Sequence, residues 1–162
     1  MAEPRDLTSI LTVLLEEQVD MVLVGALAAV AQGAPITTHD VDVVHARSTS
    51  NVTRLIAALG RLNARYRGRP AFAPLPPDPV ALAGPGHSLF MTDLGPLDCL
   101  GTIEGGLSYD ALLPLSIQID FDGRPLRVLG LETIVRLKRG STTPKDRLAL
   151  PILEETLRKS RG

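Results

Sequence analysis

The sequence predicts an α/β (α+β) domain. Short apolar runs bounded by glycine or aspartate alternate with segments whose apolar residues recur at helical spacing, along a chain of 162 residues. Hydrophobic content is 44%, but aromatics make up only 3% and tryptophan is absent, so the core must be aliphatic. A chain of this length buries enough apolar surface to fold as one domain without staples, and residues 1–162 are read as one. It shows no internal repeat or heptad pattern.

The elements follow in order. Leu7, Ile10, Leu11, Leu14 and Leu15 mark an amphipathic helix ending near Gln18. Met21 to Val24 is a buried strand broken by Gly25, and Ala26 to Gln32 is a small-residue helix closed by Gly33. Past the turn at Ala34-Pro35, a strand runs from Asp40 to His45. Ser48 or Ser50 caps a helix that carries Val52, Leu55, Ile56, Leu59 and Leu62 on one face. The Pro-, Gly- and Arg-rich stretch 66–87 reads as an irregular surface excursion. Ser88 to Thr92 and Leu97 to Leu100 are neighbouring strands joined through Asp93-Leu94-Gly95-Pro96. Ser116 to Phe121 and Pro125 to Leu129 are two more, around a turn at Asp122-Gly123. Glu132 to Lys138 is helical and stops at Gly140. Thr143-Pro144-Lys145-Asp146 starts a last helix whose apolar side is Leu148, Ile152, Leu153 and Leu157.

Composition narrows the function classes. Net charge is −1, from 17 basic and 18 acidic residues, so the whole molecule carries no general attraction to nucleic acid or membrane. The single cysteine, Cys99, excludes an intrachain disulfide and an all-cysteine zinc site, and is expected to pack as a small hydrophobe. The opening Met-Ala-Glu-Pro-Arg-Asp is unlike a secretory signal, and Met21 to Val30 is too short to span a bilayer. The expected setting is soluble and cytoplasmic. No P-loop or dinucleotide fingerprint is present.

The chemistry concentrates in three carboxylates. Asp40 and Asp42 sit one residue apart in Thr38-His39-Asp40-Val41-Asp42-Val43-Val44, and strand alternation points both to one face. Close, half-buried carboxylates repel and are costly to desolvate unless a cation or donors lie between them. Asp98, within Leu97-Asp98-Cys99-Leu100, completes an all-oxygen set suited to Mg²⁺ if its strand lies alongside. Asp93 is the competing candidate but sits just before the turn. Gly25, between strand and helix, lets backbone N–H groups approach a triphosphate. Together these residues suit two-metal phosphoryl chemistry, with Asp98 sharing an ion and orienting or deprotonating an acceptor hydroxyl.

Gly25-Ala26, Gly33, Thr38-His39-Asp40-Val41-Asp42 and Asp98 resemble the signature of the nucleotidyltransferase superfamily. That superfamily includes DNA polymerase beta, minimal nucleotidyltransferases and AbiE-type toxins. The resemblance extends through Leu131-Glu132-Thr133-Ile134 with Lys138 and through Lys145-Asp146, and covers Val22 to Leu157. It implies a mixed twisted sheet flanked by helices. It also implies an enzyme that transfers a nucleoside monophosphate from an NTP, ATP among them, to a hydroxyl with Mg²⁺ or Mn²⁺. Asp40, Asp42 and Asp98 would be catalytic and metal-binding, with Gly25, Ala26, Thr38, Lys138 and Lys145 at the nucleotide. The implied acceptors are RNA such as tRNA, protein, or a small molecule, and the implied partners an antitoxin or a second copy of the chain. The chain departs from the family pattern at Ala26, where a second glycine or a serine is usual, and at Ile36, where arginine is common. Those departures frame the alternative, a catalytically silent domain that binds a nucleotide or a partner.

Two further groups have competing explanations. Arg61, Arg65, Arg67 and Arg69 form either a platform for RNA or a phosphorylated acceptor, or a solvated face. His39 and His45 have strand parity opposite to the acidic pair and are expected to point away from it.

Overall fold

The computed structural model describes residues 6–162, so the 1–5 segment read above as unlike a signal lies outside them. The elements are α1 (Leu7–Glu16), β1 (Met21–Val24), α2 (Gly25–Ala31), β2 (Val41–His45), α3 (Thr49–Arg61), β3 (Arg65–Tyr66), α4 (Pro79–Leu82), β4 (His87–Thr92) and β5 (Gly95–Leu100). There follow a small hairpin of β6 (Thr102–Ile103) and β7 (Leu107–Ser108), then α5 (Tyr109–Leu112), β8 (Ser116–Phe121), β9 (Arg124–Leu129), α6 (Leu131–Arg139) and α7 (Pro144–Arg161).

Among the described residues seven strands form one mixed sheet in the order β3-β4-β5-β2-β1-β9-β8. β1 runs antiparallel to β2 and parallel to β9, and β2 runs parallel to β5. All four residues of β1 and all six of β5 are buried, as central strands covered on both faces require. Helices flank this sheet. α1 packs on α3, and α3 on α4. α2 packs on β1, β2, β9 and α6, and α7 covers α6.

Local chemistry sets the helix ends. The Ser48 hydroxyl accepts from the Asn51 N–H, and the Thr143 hydroxyl accepts from the Asp146 N–H with Pro144 in the first turn. Gly33 closes α2 at φ +99°, a left-handed conformation that suits glycine.

Buried Asn51, on α3, has no distinctive local signal in the sequence. Its side-chain nitrogen donates to the Asp20 and Ala46 carbonyls, and its oxygen accepts from the Asp20 N–H. It thus ties the start of β1 to the end of β2. Asn51→Ala leaves several of these groups unpaired and should lower stability by about 3 kcal/mol in urea unfolding.

Two expectations change on folding, and a third is met in a specific way. The 66–87 excursion is irregular for most of its length, yet it is tied to the domain. Its first residues pair with β4, and Leu82 of α4 is fully buried. Leu148 and Ile152 are 78% and 40% exposed, so the side of α7 facing the protein is instead Leu153 with Ala149, Leu150 and Leu157. Helical spacing groups residues on a face but does not say which part of a broad face meets a neighbour. His45 does point away from the acidic face, but into the core, where Nε2 donates to the Leu82 carbonyl at 2.7 Å. Burial pushes its pKa down.

Candidate active site

One row of the sheet builds the site. Val24, the last residue of β1, lies opposite Asp42 of β2, which lies opposite Asp98 of β5. Asp40 immediately precedes β2. One oxygen from each of Asp40, Asp42 and Asp98 falls within 4.8 Å of the others, so the three could hold a divalent cation. The donor set fits such an ion: all oxygen, anionic and half-buried to buried, with Asp98 Oδ1 enclosed and lacking a hydrogen bond of good geometry.

Gly25 follows Val24 directly and so is placed against Asp42. It adopts φ +72°, and a Cβ there would collide with Asp42 Oδ2 and lie 3.1 Å from Cγ. Only glycine satisfies both the backbone and the space.

A cleft of about 260 Å³ opens beside this row, lined by Gly25, Ala26, Asp40, Asp42, Lys138 and Lys145. Leu100, Ile103, Ile134 and Leu137 supply an apolar wall. Gln32 holds α6 in place to present Lys138. Its side chain donates to the Leu129 carbonyl and accepts from the Leu131 N–H, fastening α2 to the start of α6. Lys138 Nζ lies 2.7 Å from Asp146 Oδ1, and Asp146 also accepts from the Ser141 hydroxyl at 2.6 Å. Lys138 is therefore a braced cation, and Lys145, one residue before Asp146, is a second at the same rim.

No family model matches this sequence, and neither does any curated protein. Solved structures do match. The chain is similar to the lincosamide antibiotic adenylyltransferase LnuA in its lincomycin-bound form. The TM-score is 0.62 at 14% identity, over 95% of this chain and 99% of that one. It is also similar to the antibiotic-resistance factor ANT(2'')-Ia, at TM-score 0.56 and 15% identity, over 93% of this chain and 83% of that one. A crystal structure of ANT(2'')-Ia with adenylyl-2''-tobramycin aligns at TM-score 0.56 and 15% identity, over 91% and 85%. The chain has the nucleotidyltransferase fold.

On this nucleotidyltransferase fold, Asp40, Asp42, Gly25, Ala26, Lys138 and Lys145 converge on one cleft. Asp98 joins through the carboxylate cluster but does not line that cleft. Thr38 does not line it either; its hydroxyl donates to the Asp40 carbonyl at 3.2 Å, bracing the turn before β2. Ile36 packs against the core. Asp93, the competing carboxylate, is exposed and accepts from Asn63. Cys99 is buried beside Asp98, and burial pushes its thiol pKa up.

The arginine cluster divides. Arg61 pairs with Glu16 and Glu17, and Arg65 with Asp93. Arg67 instead reaches inward, its Nη2 2.6 Å from Asp98 Oδ1 and its Nη1 donating to the Phe90 carbonyl at 2.7 Å. Three of the four arginines are thus ion-paired with carboxylates, and Arg69 is the exposed fourth. The Arg67–Asp98 pair lies far apart in sequence and left no local signal.

With no cation bound, burial first, then the Asp98 carboxyl and the charge of Asp40, push the Asp42 pKa from 3.8 up to about 8, while Lys145 pulls the other way. The folded chain then keeps a proton that the unfolded chain loses. The resulting penalty grows as pH rises across that window and is complete above it. Asp42→Asn removes it. In EDTA the variant should melt above the wild type at about pH 8.5 and level with it near pH 4; an equal offset at both would rule this origin out.

Proposed function

We propose that this protein is a metal-dependent nucleotidyltransferase, moving a nucleoside monophosphate from an NTP to a hydroxyl of a small molecule. The observation that carries the reading is the convergence of Asp40, Asp42 and Asp98 within 4.8 Å, beside a cleft with Gly25 at one wall and Lys138 and Lys145 at the rim. Mg²⁺ or Mn²⁺ held by the three carboxylates would neutralise phosphate charge and lower the pKa of a coordinated hydroxyl. Lys138 and Lys145 oppose the charge of the phosphates. The Gly25 backbone, bare of side chain, lets the chain approach them closely. Asp98, across Asp42 from Val24 in the sheet, takes the acceptor proton or orients the hydroxyl. The apolar wall of Leu100, Ile103 and Ile134 suits a base, ATP's among them.

Support for a small acceptor over tRNA or protein comes from LnuA, bound to lincomycin, and from ANT(2'')-Ia with adenylyl-2''-tobramycin. Toxin activity with an antitoxin partner has only the sequence resemblance behind it. The silent-domain alternative rests on Ala26 and Ile36. Neither removes a group from the carboxylate cluster, and the Ala26 backbone N–H is still present.

The test incubates purified protein with each NTP labelled at the α-phosphate, Mg²⁺ or Mn²⁺, and separate pools of small metabolites, tRNA and protein. Labelled small-molecule product and released pyrophosphate, both lost in EDTA, are expected. Metal-dependent NTP binding without turnover in any pool would favour the silent domain, and transfer to tRNA alone would favour the toxin reading.

A further inference from the structure

A second cleft, of about 360 Å³, is lined from β3, the chain after it and β4, which in the sheet order lie on the opposite side of Asp98 from Asp42. The start of the 66–87 excursion forms it, with Arg65, Arg67 and Arg69 in its lining, Tyr66 and Met91 beside them, and no described acidic residue in its wall. Arg67 is common to both regions: it lines this cleft and its guanidinium contacts Asp98 Oδ1. Tyr66 is fixed there by its ring against Phe90, 4.7 Å between centroids, and by its hydroxyl, which accepts from the Asp78 N–H. Arg65 is partly neutralised by Asp93 at 3.4 Å. Arg67 is tied to Asp98, so exposed Arg69 is the arginine of this cleft that no ion pair among the described residues engages.

We propose that this arginine-lined cleft is the acceptor site and that it selects a small hydroxylated acceptor bearing an oxyanion, a phosphate or a carboxylate. The proposal rests on the transferase reading above and names its second substrate. Guanidinium groups match the planar oxygen pairs of either oxyanion. Arg67 stands between the cleft and Asp98, so the Asp98 charge does not repel an anion held there. A polycationic acceptor would meet the exposed charge of Arg69, with Arg65 and Arg67 already paired to Asp93 and Asp98 and no described carboxylate in the wall to balance it. An acceptor anchored at Arg69, beside Arg67, brings a neighbouring hydroxyl toward Asp98. Its oxygen attacks the α-phosphorus of the NTP, the bond to the β-phosphate oxygen breaks, pyrophosphate departs with that electron pair, and the hydroxyl proton passes to Asp98.

The test offers the full chain, with Mn²⁺ and labelled NTP, three acceptor sets: sugar phosphates and hydroxy acids, neutral polyols, and amino sugars. The anionic set should be used with kcat/KM at least about tenfold above the neutral one, and amino sugars not at all. Comparing sugar phosphates with hydroxy acids tells phosphate from carboxylate. Arg69 is the position to vary because Arg67 also holds Asp98. Arg69→Ala should raise the acceptor KM about tenfold, Arg69→Lys should recover part of that, and Arg69→Glu should exceed it. Equal or better use of neutral or amino-sugar acceptors, or an acceptor KM unmoved by Arg69→Glu, overturns the assignment. Calorimetry of NTP with Mn²⁺ on the wild type, and slow pyrophosphate release with water as acceptor, report the transferase reading separately. If both occur without preference for the anionic set, the acceptor assignment alone fails; if neither occurs, the two fall together.

Discussion

Asp42→Ala is expected to reduce nucleotidyl transfer by about 10³-fold or more, the equivalent of roughly 4 kcal/mol of transition-state stabilisation. Asp42 is central in the row Val24, Asp42, Asp98, and it shares the carboxylate cluster with both Asp40 and Asp98. Removing it leaves two carboxylates, too few to hold a hard cation against competing water. The same substitution removes a carboxyl whose ionisation burial, the Asp98 carboxyl and the Asp40 charge all oppose, so at about pH 8.5 the metal-free variant should fold at least as well as the wild type. Activity and stability thus move in opposite directions, which separates a ligand from a structural residue. Rates come from labelled NTP turnover and stability from thermal melts in EDTA. A variant that keeps metal-dependent turnover within tenfold of the wild type would remove Asp42 from the chemistry.

Gly25→Ala should damage both properties. An L-residue at φ +72° is strained by about 1–2 kcal/mol, and the new methyl collides with Asp42 Oδ2. The collision can be relieved only by moving Asp42 or the β1–α2 junction, and either displaces a carboxylate from the cluster. A stability loss of about 2 kcal/mol and a rate loss of about 10²-fold or more are expected. Because the clash is with the Asp42 side chain, the rate effects of Gly25→Ala and Asp42→Ala should not add. In the double variant the Gly25 change costs little further activity. Full additivity in that cycle would show that Gly25 acts by some route other than Asp42.

Much of the fold was legible because its signals are local. Met21 to Val24 is a run of four apolar residues ending at a glycine, and the strand and its end come out at those residues. Thr143-Pro144 announces the start of α7, and the turn at Asp122-Gly123 joins β8 to β9 as expected. Alternation alone put Asp40 and Asp42 on one face, and the placement of Asp98 in an apolar run marked it as a carboxylate with a reason to be buried. The face of α7 was less legible, since Leu148, Ile152, Leu153 and Leu157 all satisfy the spacing while α6 covers only part of that arc.

By itself the sequence determined the identity of the elements, the aliphatic core, and the residue types of the carboxylate cluster, because backbone periodicity and glycine conformations depend on a few neighbouring residues. Only the tertiary structure decided three things. The strand register set Val24, Asp42 and Asp98 in line and pressed Gly25 against Asp42. The 66–87 excursion folded back so that Arg67, one of four similar arginines, reached Asp98 while Arg61 and Arg65 turned to surface carboxylates. A second cleft formed at β3 and β4, on the opposite side of Asp98 from Asp42 in the sheet order. Strand order, register and long-range ion pairs arise from packing between segments distant in the chain, and no local pattern encodes which distant partner a side chain meets.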